Sequence, residues 1–197
     1  KKMVIADRID GFVSVIFGSY GDYGGLAVAL AILLYTIQLY TEFSGCMDIV
    51  TGCAQLFGIS LAKNFEQPFF SRNVNEFWRR WHITLGAFLR DYVFYPISLS
   101  KFFQKLSKGA RKRFNEYYAM TIPAAAALFA VWFCNGIWHG AEWKYICYGL
   151  YYYVIMLSGM LLEPLFKKIC GAIHLNREEN RGFHMFQVVR TCILVGI

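Results

Sequence analysis

Long runs without a charged side chain constrain this sequence more than any other feature. No Asp, Glu, Lys or Arg occurs in 23–41, 117–141 or 145–162. A helix that crosses a bilayer needs about 20 mostly apolar residues, within a range of about 17–25. Each run is long enough to span, so the sequence predicts an all-α, polytopic transmembrane protein. Its 57% hydrophobic content also exceeds the roughly 45–50% apolar content of soluble domains.

Two further apolar segments are shorter. Residues 49–62 either span with help from polar flanks or lie buried among other helices, and 192–197 is apolar to its last residue. The chain begins with Lys rather than Met, and no signal peptide is recognisable because charged residues interrupt its apolar start. We therefore expect residues 1–197 to be a single membrane domain and a piece of a longer chain.

Positive charge is concentrated in one segment. The net charge of 63–113 is +8, against +7 for the whole chain. Segments rich in Lys and Arg between spans stay on the cytoplasmic side and lie favourably against anionic headgroups. We therefore place 63–113 at the cytoplasmic face, as an amphipathic basic segment in contact with membrane lipids. In a membrane protein this pattern does not indicate nucleic-acid binding.

Inside the basic segment, aromatic and cationic residues alternate at helical spacing. Phe77, Trp81, Leu85 and Phe88 recur at i, i+4, i+8 and i+11, which predicts a continuous interfacial helix with one apolar face.

Smaller signals mark the surroundings of that helix. Ser71 or Asn73 is the expected N-cap. We expect 101–113 to be an exposed basic connector. Pro123 is expected in the first turn of the next helix, where proline is tolerated.

One titratable side chain lies at the end of an apolar run. His139 follows Trp138, and the residues alone allow a histidine packed among interfacial tryptophans as readily as a functional one. An ionisable residue inside a membrane is a functional-site hypothesis, and imidazole has the unperturbed pKa that best suits proton transfer near neutral pH. Since 63–113 is placed at the cytoplasmic face, the run from 117 carries His139 toward the opposite side.

Other residues offer weaker signals. None of the six cysteines forms a C-x-x-C pair, so no metal site is expected. His174 and His184 fall in a polar stretch and are interpreted as loop residues. Gly-rich phosphate loops and Ser-His-Asp arrangements are not recognisable, and no bound cofactor is predicted.

Four ordered motifs resemble a known family. They are KNFEQPFFS at 63–71, EFWRRWHITL at 76–85, LRDYVFYP at 89–96 and GIWHGA at 136–141. The sequence resembles the membrane-bound O-acyltransferase family, and most closely its bacterial branch of alginate and peptidoglycan O-acetylases and the D-alanyl transfer protein of teichoic-acid modification. The resemblance covers roughly 1–165. It implies a ring of transmembrane helices with short interfacial helices on the cytoplasmic side. This chain would be the central and catalytic part of that larger ring.

The resemblance implies catalytic roles for two histidines. His139 matches the catalytic histidine of the family and is expected to act as general base. His82 matches the second histidine and is expected to position or polarise the acyl donor. Asn135, one helical turn before His139, and Trp138 are the candidates for positioning the His139 ring.

Donor phosphate is the expected partner of nearby cations. The candidates are Arg79, Arg80 and Arg90, since arginine binds phosphate bidentately, and membrane-surface anchoring is the alternative. Asp91 is expected to pair with a nearby arginine.

The implied protein is a multi-pass enzyme of the plasma membrane. It would move an acyl group, preferably acetyl, from a cytoplasmic donor such as acetyl-CoA or an acyl-carrier protein. The acceptor would be a hydroxyl of an extracytoplasmic glycan or cell-wall polymer, reached directly or through a partner acyltransferase. D-alanyl transfer to teichoic acid is the runner-up. Residues 97–100 depart from the glycines usual in alginate acetylases, which weakens a specific alginate assignment.

Two other classes remain open from the residues. A proton-coupled transporter would use His82 and His139 as a relay, although intramembrane carboxylates normally join such relays and only Glu142 lies near. A structural membrane subunit without chemistry is the third possibility.

Overall fold

The computed structural model describes residues 1–172 and 180–196, which are almost entirely helical. The α-helices are α1 (Asp7–Gly18), α2 (Gly25–Leu56), α3 (Val74–Arg80), α4 (Ile83–Leu89), α5 (Tyr95–Ser98), α6 (Lys101–Arg111), α7 (Glu116–His139), α8 (Trp143–Ala172) and α9 (Arg181–Gly196). Lys2–Ala6 and Arg90–Phe94 are π-helical, and Tyr20–Asp22 and Pro68–Phe70 are 3-10 turns. In these residues, extended backbone pairs only at an antiparallel bridge. The predicted all-α class is confirmed.

Three helices of the described part of the chain are long and apolar enough to cross a membrane. They are α2, α7 and α8, and each covers all or nearly all of one uncharged run. Large apolar side chains stay exposed on them, such as Leu33 on α2 and Val154 on α8. Exposed apolar surface of this extent suits a lipid environment, so the predicted spans are confirmed.

The chain divides into two compact units. The first comprises Lys1–His82 and the residues from Gln187 onward, and the second is Ile83–Phe186. In the first unit, polar contacts attach α1 and the segment before it to α2. Gln38 on α2 donates through Nε2 to Asp10 Oδ1 at 2.8 Å. The ammonium group of Lys2 lies 2.6 Å from the Glu42 carboxylate, so a charge within the apolar α2 is paired.

The second unit is built on a hairpin of α7 and α8. A Cβ atom added at Gly149 would lie 2.4 Å from the Trp132 carbonyl oxygen, and at 3.4 Å from the Gly136 Cα. The two backbones therefore touch, which is the packing that small residues allow between membrane helices. A second contact joins the same helices, since the Trp132 indole nitrogen on α7 lies 3.1 Å from Met156 Sδ on α8. The π-helical turn Arg90–Phe94, α5 and α6 also pack against α7.

Two expectations about helix boundaries are wrong. The segment 49–62 is neither a separate span nor a separate buried helix, because α2 continues through Leu56 without a break. Pro123 lies inside α7 rather than in its first turn. The helix starts earlier because Asn115 accepts the Tyr118 N–H at 3.0 Å and caps it.

Two segments expected to be loops are helical. Residues 101–111 form α6, whose first turn is capped by the Ser100 hydroxyl accepting the Phe103 N–H at 3.4 Å. Its cations, such as Lys108, are exposed as expected. His184 lies within α9, where Asn180 accepts the N–H of residue 183 and caps the start. His174 lies outside the described residues.

Candidate functional site

The predicted interfacial helix through Phe77, Trp81, Leu85 and Phe88 is wrong as one helix, because the chain breaks at Trp81 and His82. α3 ends just before Trp81, whose backbone is extended at φ −107° and ψ 126°. His82 follows with φ +47°, and α4 begins immediately after it. The cause is tertiary: Trp81 forms the antiparallel bridge with Phe65, which takes it out of the helix. The start of α3 is as predicted, since Asn73 accepts the N–H three residues on.

The break fixes the His82 imidazole. Its Nδ1 lies 3.0 Å from Oδ1 of Asn64. An amide oxygen only accepts, so Nδ1 carries the proton and the lone pair of the neutral ring is on Nε2. Phe43 of α2 meets the imidazole edge to face, with ring centroids 4.8 Å apart. Orientation and tautomer of this side chain are therefore both set by neighbours.

A cluster of aromatic rings lies next to His82. Trp81 is its centre, stacked on Phe77 at 5.5 Å with an interplanar angle of 18°. Its other rings, all 5.0–6.4 Å from a neighbour, are Tyr40, Phe43, Phe65 and Phe69. Pairs of this kind contribute about 0.5–1.5 kcal/mol beyond the area they bury. Phe77 and Trp81 of the predicted apolar stripe lie in this cluster, whereas Phe88 is exposed, so the four residues do not form one apolar face.

A cavity of about 380 Å³ lies beside Asn64, between α2 and the segment that follows it. Its polar lining includes Lys63, Asn64 and Ser44. Ser44 is 2% exposed, and its hydroxyl makes no hydrogen bond within the described residues. The cavity is lined by residues of a single compact unit.

The three arginines proposed for donor phosphate are engaged locally. Arg80 donates to the Glu76 carboxylate at 2.6 Å, and Arg79 contacts a backbone carbonyl one turn back at 3.4 Å. Arg90 donates twice to Asp91, at 2.8 and 3.3 Å, which confirms the predicted role of Asp91. This bond lowers the pKa of the Asp91 carboxyl and raises the pKa of Arg90.

His139 is the last residue of α7, and its side chain is exposed. Gly140 stops the helix with φ +151°, and a Cβ there would lie 2.6 Å from the Tyr145 ring. Glycine is thus required at 140 both for its backbone conformation and for space. The turn to α8 is so short that α8 begins three residues after Gly140.

Three aromatic rings surround the His139 imidazole. Trp138 meets it at 4.9 Å and 79°, Tyr148 at 5.3 Å and 76°, and Tyr145 lies nearly parallel at 6.1 Å and 20°. Asn135, buried one turn earlier, hydrogen-bonds with the side chain of Tyr148. The predicted positioning pair of Asn135 and Trp138 therefore lies at His139, and Asn135 reaches toward it through a tyrosine.

The sequence did not indicate Tyr145 or Tyr148, and it marked Asn64 only as part of the KNFEQPFFS motif at the cytoplasmic face, without a contact to His82. Tyr145 and Tyr148 share a helix face with Tyr152, since the three recur at i, i+3 and i+7, and this face could have been recognised. Asn64 carried no such signal. His82 and His139 belong to different compact units.

Residues 22–111 match the family model of MBOAT, the membrane-bound O-acyltransferase family. Three relatives indicate the range of the matches. A peptidoglycan O-acetyltransferase of Helicobacter pylori is 35% identical over 150 residues, covering 76% of this chain and 25% of the relative. A probable alginate O-acetylase of Pseudomonas putida is 36% identical over 153 residues, covering 77% and 28%.

A teichoic acid D-alanyltransferase of Bacillus subtilis is similar as well. It is 33% identical over 134 residues, covering 68% of this chain and 31% of the relative. The chain thus spans about a quarter to a third of the length of the curated relatives it matches.

Proposed function

Because this chain belongs to the membrane-bound O-acyltransferase family, we propose that the protein transfers an acyl group to a hydroxyl of an extracytoplasmic polysaccharide or cell-wall polymer. The names of the three relatives specify transfer to peptidoglycan, alginate or teichoic acid. The observation that carries the proposal is His139 itself, an exposed imidazole that ends a candidate span and is surrounded by ordered rings.

His139 serves as general base in this proposal. The imidazole takes the proton of the acceptor hydroxyl while the hydroxyl oxygen attacks the acyl carbonyl carbon. A new ester bond forms, the bond from the acyl carbon to the donor sulfur breaks, and the departing thiolate receives the proton. Exposure of His139 supports this role because an acceptor can reach the ring, and burial of Asn135 beside it supplies a rigid base for the site.

His82 is assigned to the acyl donor. The hydrogen bond between Nδ1 and Asn64 Oδ1 holds the imidazole in one orientation. This fixed orientation supports the positioning of the donor, which is the first of the two roles expected for His82.

The proposal also includes cationic side chains as contacts for the donor phosphate. Arg79, Arg80 and Arg90 are retained as contacts for donor phosphate, although two of them have carboxylate partners to exchange. Lys63, in the lining of the cavity beside Asn64, is an additional cation of this kind. The donor is a cytoplasmic thioester, acetyl-CoA or an acyl-carrier protein.

Acetyl transfer is preferred, and D-alanyl transfer is the second candidate because relatives of both kinds match this chain. We place the protein in the cell membrane as a multi-pass protein with 63–113 at the cytoplasmic face. Membrane lipids and an extracytoplasmic acceptor or partner acyltransferase complete the proposed set of partners.

The test is a His139→Ala variant of the full-length protein in cells that lack the native copy. We expect envelope-polymer acylation, measured by mass spectrometry, to fall by about 10²–10⁴-fold at normal protein level, the typical contribution of a general base. The mass gained by the polymer distinguishes acetyl from D-alanyl. His184→Ala, on α9, is the matched control and should retain acylation.

Unchanged acylation in His139→Ala would contradict the proposed mechanism. Proton flux that depends on His139 without acyl turnover would favour the transporter instead.

A further inference from the structure

Two tyrosines outside the GIWHGA motif, Tyr145 and Tyr148, contact the His139 ring, and Tyr148 also contacts a second residue of α7. Tyr148 of α8 meets the imidazole edge to face, with centroids 5.3 Å apart. The same tyrosine hydrogen-bonds with Asn135 of α7. Asn135 is 4% exposed, whereas His139 is exposed. A buried amide is thus connected to an exposed imidazole through the Tyr148 ring.

We infer that Tyr148 is a positioning residue for His139, and that Asn135 acts on the imidazole through Tyr148. The inference rests on the proposed role of His139 as base. A base at the last position of a helix has few backbone neighbours to restrict its rotamers. Misplacement of a reacting group by about 1 Å can cost about 10²-fold in rate, so a ring that limits those rotamers affects the reaction without touching the substrate.

Tyr148 is itself held on several sides. Tyr152, one turn further along α8, packs against its ring at 5.0 Å and 74°. The adjacent Gly149 lies against the Trp132 carbonyl of α7, with no space for a Cβ. The backbone at 148 is therefore fixed relative to α7, and the tyrosine transmits that fixed position to the end of the helix.

Two variants separate the parts of Tyr148. Tyr148→Phe keeps the ring and removes the hydroxyl that bonds with Asn135, whereas Tyr148→Leu removes both. Asn135→Leu removes the same hydrogen bond from the other side. Tyr153→Phe is the matched control, since it loses a hydroxyl on the same helix while its ring stays against Phe129.

Two readouts are measured on the full-length protein in membranes. One is the kcat and KM of acyl transfer. The other is the rate at which diethyl pyrocarbonate modifies His139, followed by peptide mass spectrometry, which reports on the ring whether or not the reaction proceeds.

For Tyr148→Leu we expect kcat to fall by about 10- to 100-fold with KM within about twofold, and His139 modification to accelerate several-fold. Tyr148→Phe and Asn135→Leu should each lower kcat by about threefold, and the double variant should be no worse than either, because both remove one interaction. Tyr153→Phe should match the unaltered protein in both readouts.

Additive losses in the double variant would overturn the inference. So would Tyr148→Leu with unaltered kcat, or with lower kcat but unaltered modification of His139. If Tyr148→Leu does not accumulate in the membrane, the double-variant comparison decides. Retained turnover in His139→Ala would instead remove the proposed base, and the modification rate would then decide alone whether Tyr148 holds the ring.

Discussion

At the residue scale, His82 occupies a backbone conformation that only its surroundings can maintain. A non-glycine residue with φ near +47° costs about 1–3 kcal/mol and persists where neighbours hold it. Here the neighbours are Asn64, through the 3.0 Å bond to Nδ1, and Phe43, through its ring. The imidazole is thereby held in one orientation, so the proposed role of His82 depends on Asn64 although Asn64 contacts no substrate in the proposal.

Asn64→Ala tests this dependence. Loss of the amide leaves Nδ1 of a half-buried ring without this acceptor, so we expect the free energy of unfolding to fall by about 1–3 kcal/mol and acyl transfer to fall by about tenfold. Asn64→Asp keeps an acceptor oxygen and should retain more of both. Thermal unfolding in detergent and acyl turnover in membranes measure the two effects.

The control for this change is Asn75→Ala, at an exposed position of α3. If Asn64→Ala behaves like Asn75→Ala, another contact sets the conformation of His82.

Residue contacts were predictable where the partners are neighbours in sequence. The Arg90–Asp91 pair and the Asn73 cap involve residues one and three positions apart, so spacing alone identified them. The Asn64–His82 and Tyr148–His139 contacts join residues that only tertiary packing brings together. Composition carries no information about such pairs, so neither the contact of Asn64 with His82 nor that of Tyr148 with His139 was predicted.

At the element scale, the long helices could be predicted from composition, whereas the break between α3 and α4 could not. α2, α7 and α8 were predictable because absence of charge over about 20 residues leaves few alternatives. The break at Trp81 and His82 was not, because it is imposed by the bridge from Phe65. The spacing of apolar residues within 77–88 gives no information about a bridge partner such as Phe65, which lies outside that segment.

Helix packing gives the element-scale prediction. Gly149→Ala would put a Cβ 2.4 Å from the Trp132 carbonyl, so α7 and α8 must separate, and we expect the free energy of unfolding to fall by about 1–3 kcal/mol. Gly159→Ala on the same helix meets nothing within 4 Å and should be neutral or stabilising by up to about 1 kcal/mol, since alanine favours helices over glycine. Chemical denaturation in detergent micelles provides the comparison.

Equal stability of the two glycine variants would show that the helices separate without cost. Because Gly149 adjoins Tyr148, loss of stability in Gly149→Ala should also lower acyl transfer.

At the scale of the whole molecule, the distribution of charge along the chain predicts which side of the membrane each end of α7 faces. Six of the cations of the basic segment lie in 101–113, just before α7, and the opposite end of α7 carries His139. The helix has 24 residues, or about 36 Å at 1.5 Å per residue, which exceeds the roughly 30 Å hydrocarbon core. A single helix of this length therefore suffices to separate the two ends by a membrane.

Single cysteines introduced into a cysteine-free, full-length protein test this topology. We expect Lys108→Cys to react with a membrane-impermeant maleimide only after permeabilisation, because cationic segments stay in the cytoplasm. Ala141→Cys, at the other end of α7, should react in intact cells. Both positions are exposed, so accessibility to the reagent depends on the side of the membrane. The reverse labelling pattern would contradict the placement of 63–113.

The turn between α7 and α8 has a consequence for biogenesis. The carboxylate of Glu142 in this turn lies 2.9 Å from the ammonium group of Lys144 at the start of α8. In water such an exposed pair contributes little, but a nascent hairpin has to carry this turn across hydrocarbon, where isolated charges are expensive. Pairing makes the crossing segment neutral as a whole. We therefore expect α7 and α8 to enter the membrane together, as one hairpin already closed by its glycine contact, rather than as two successive helices.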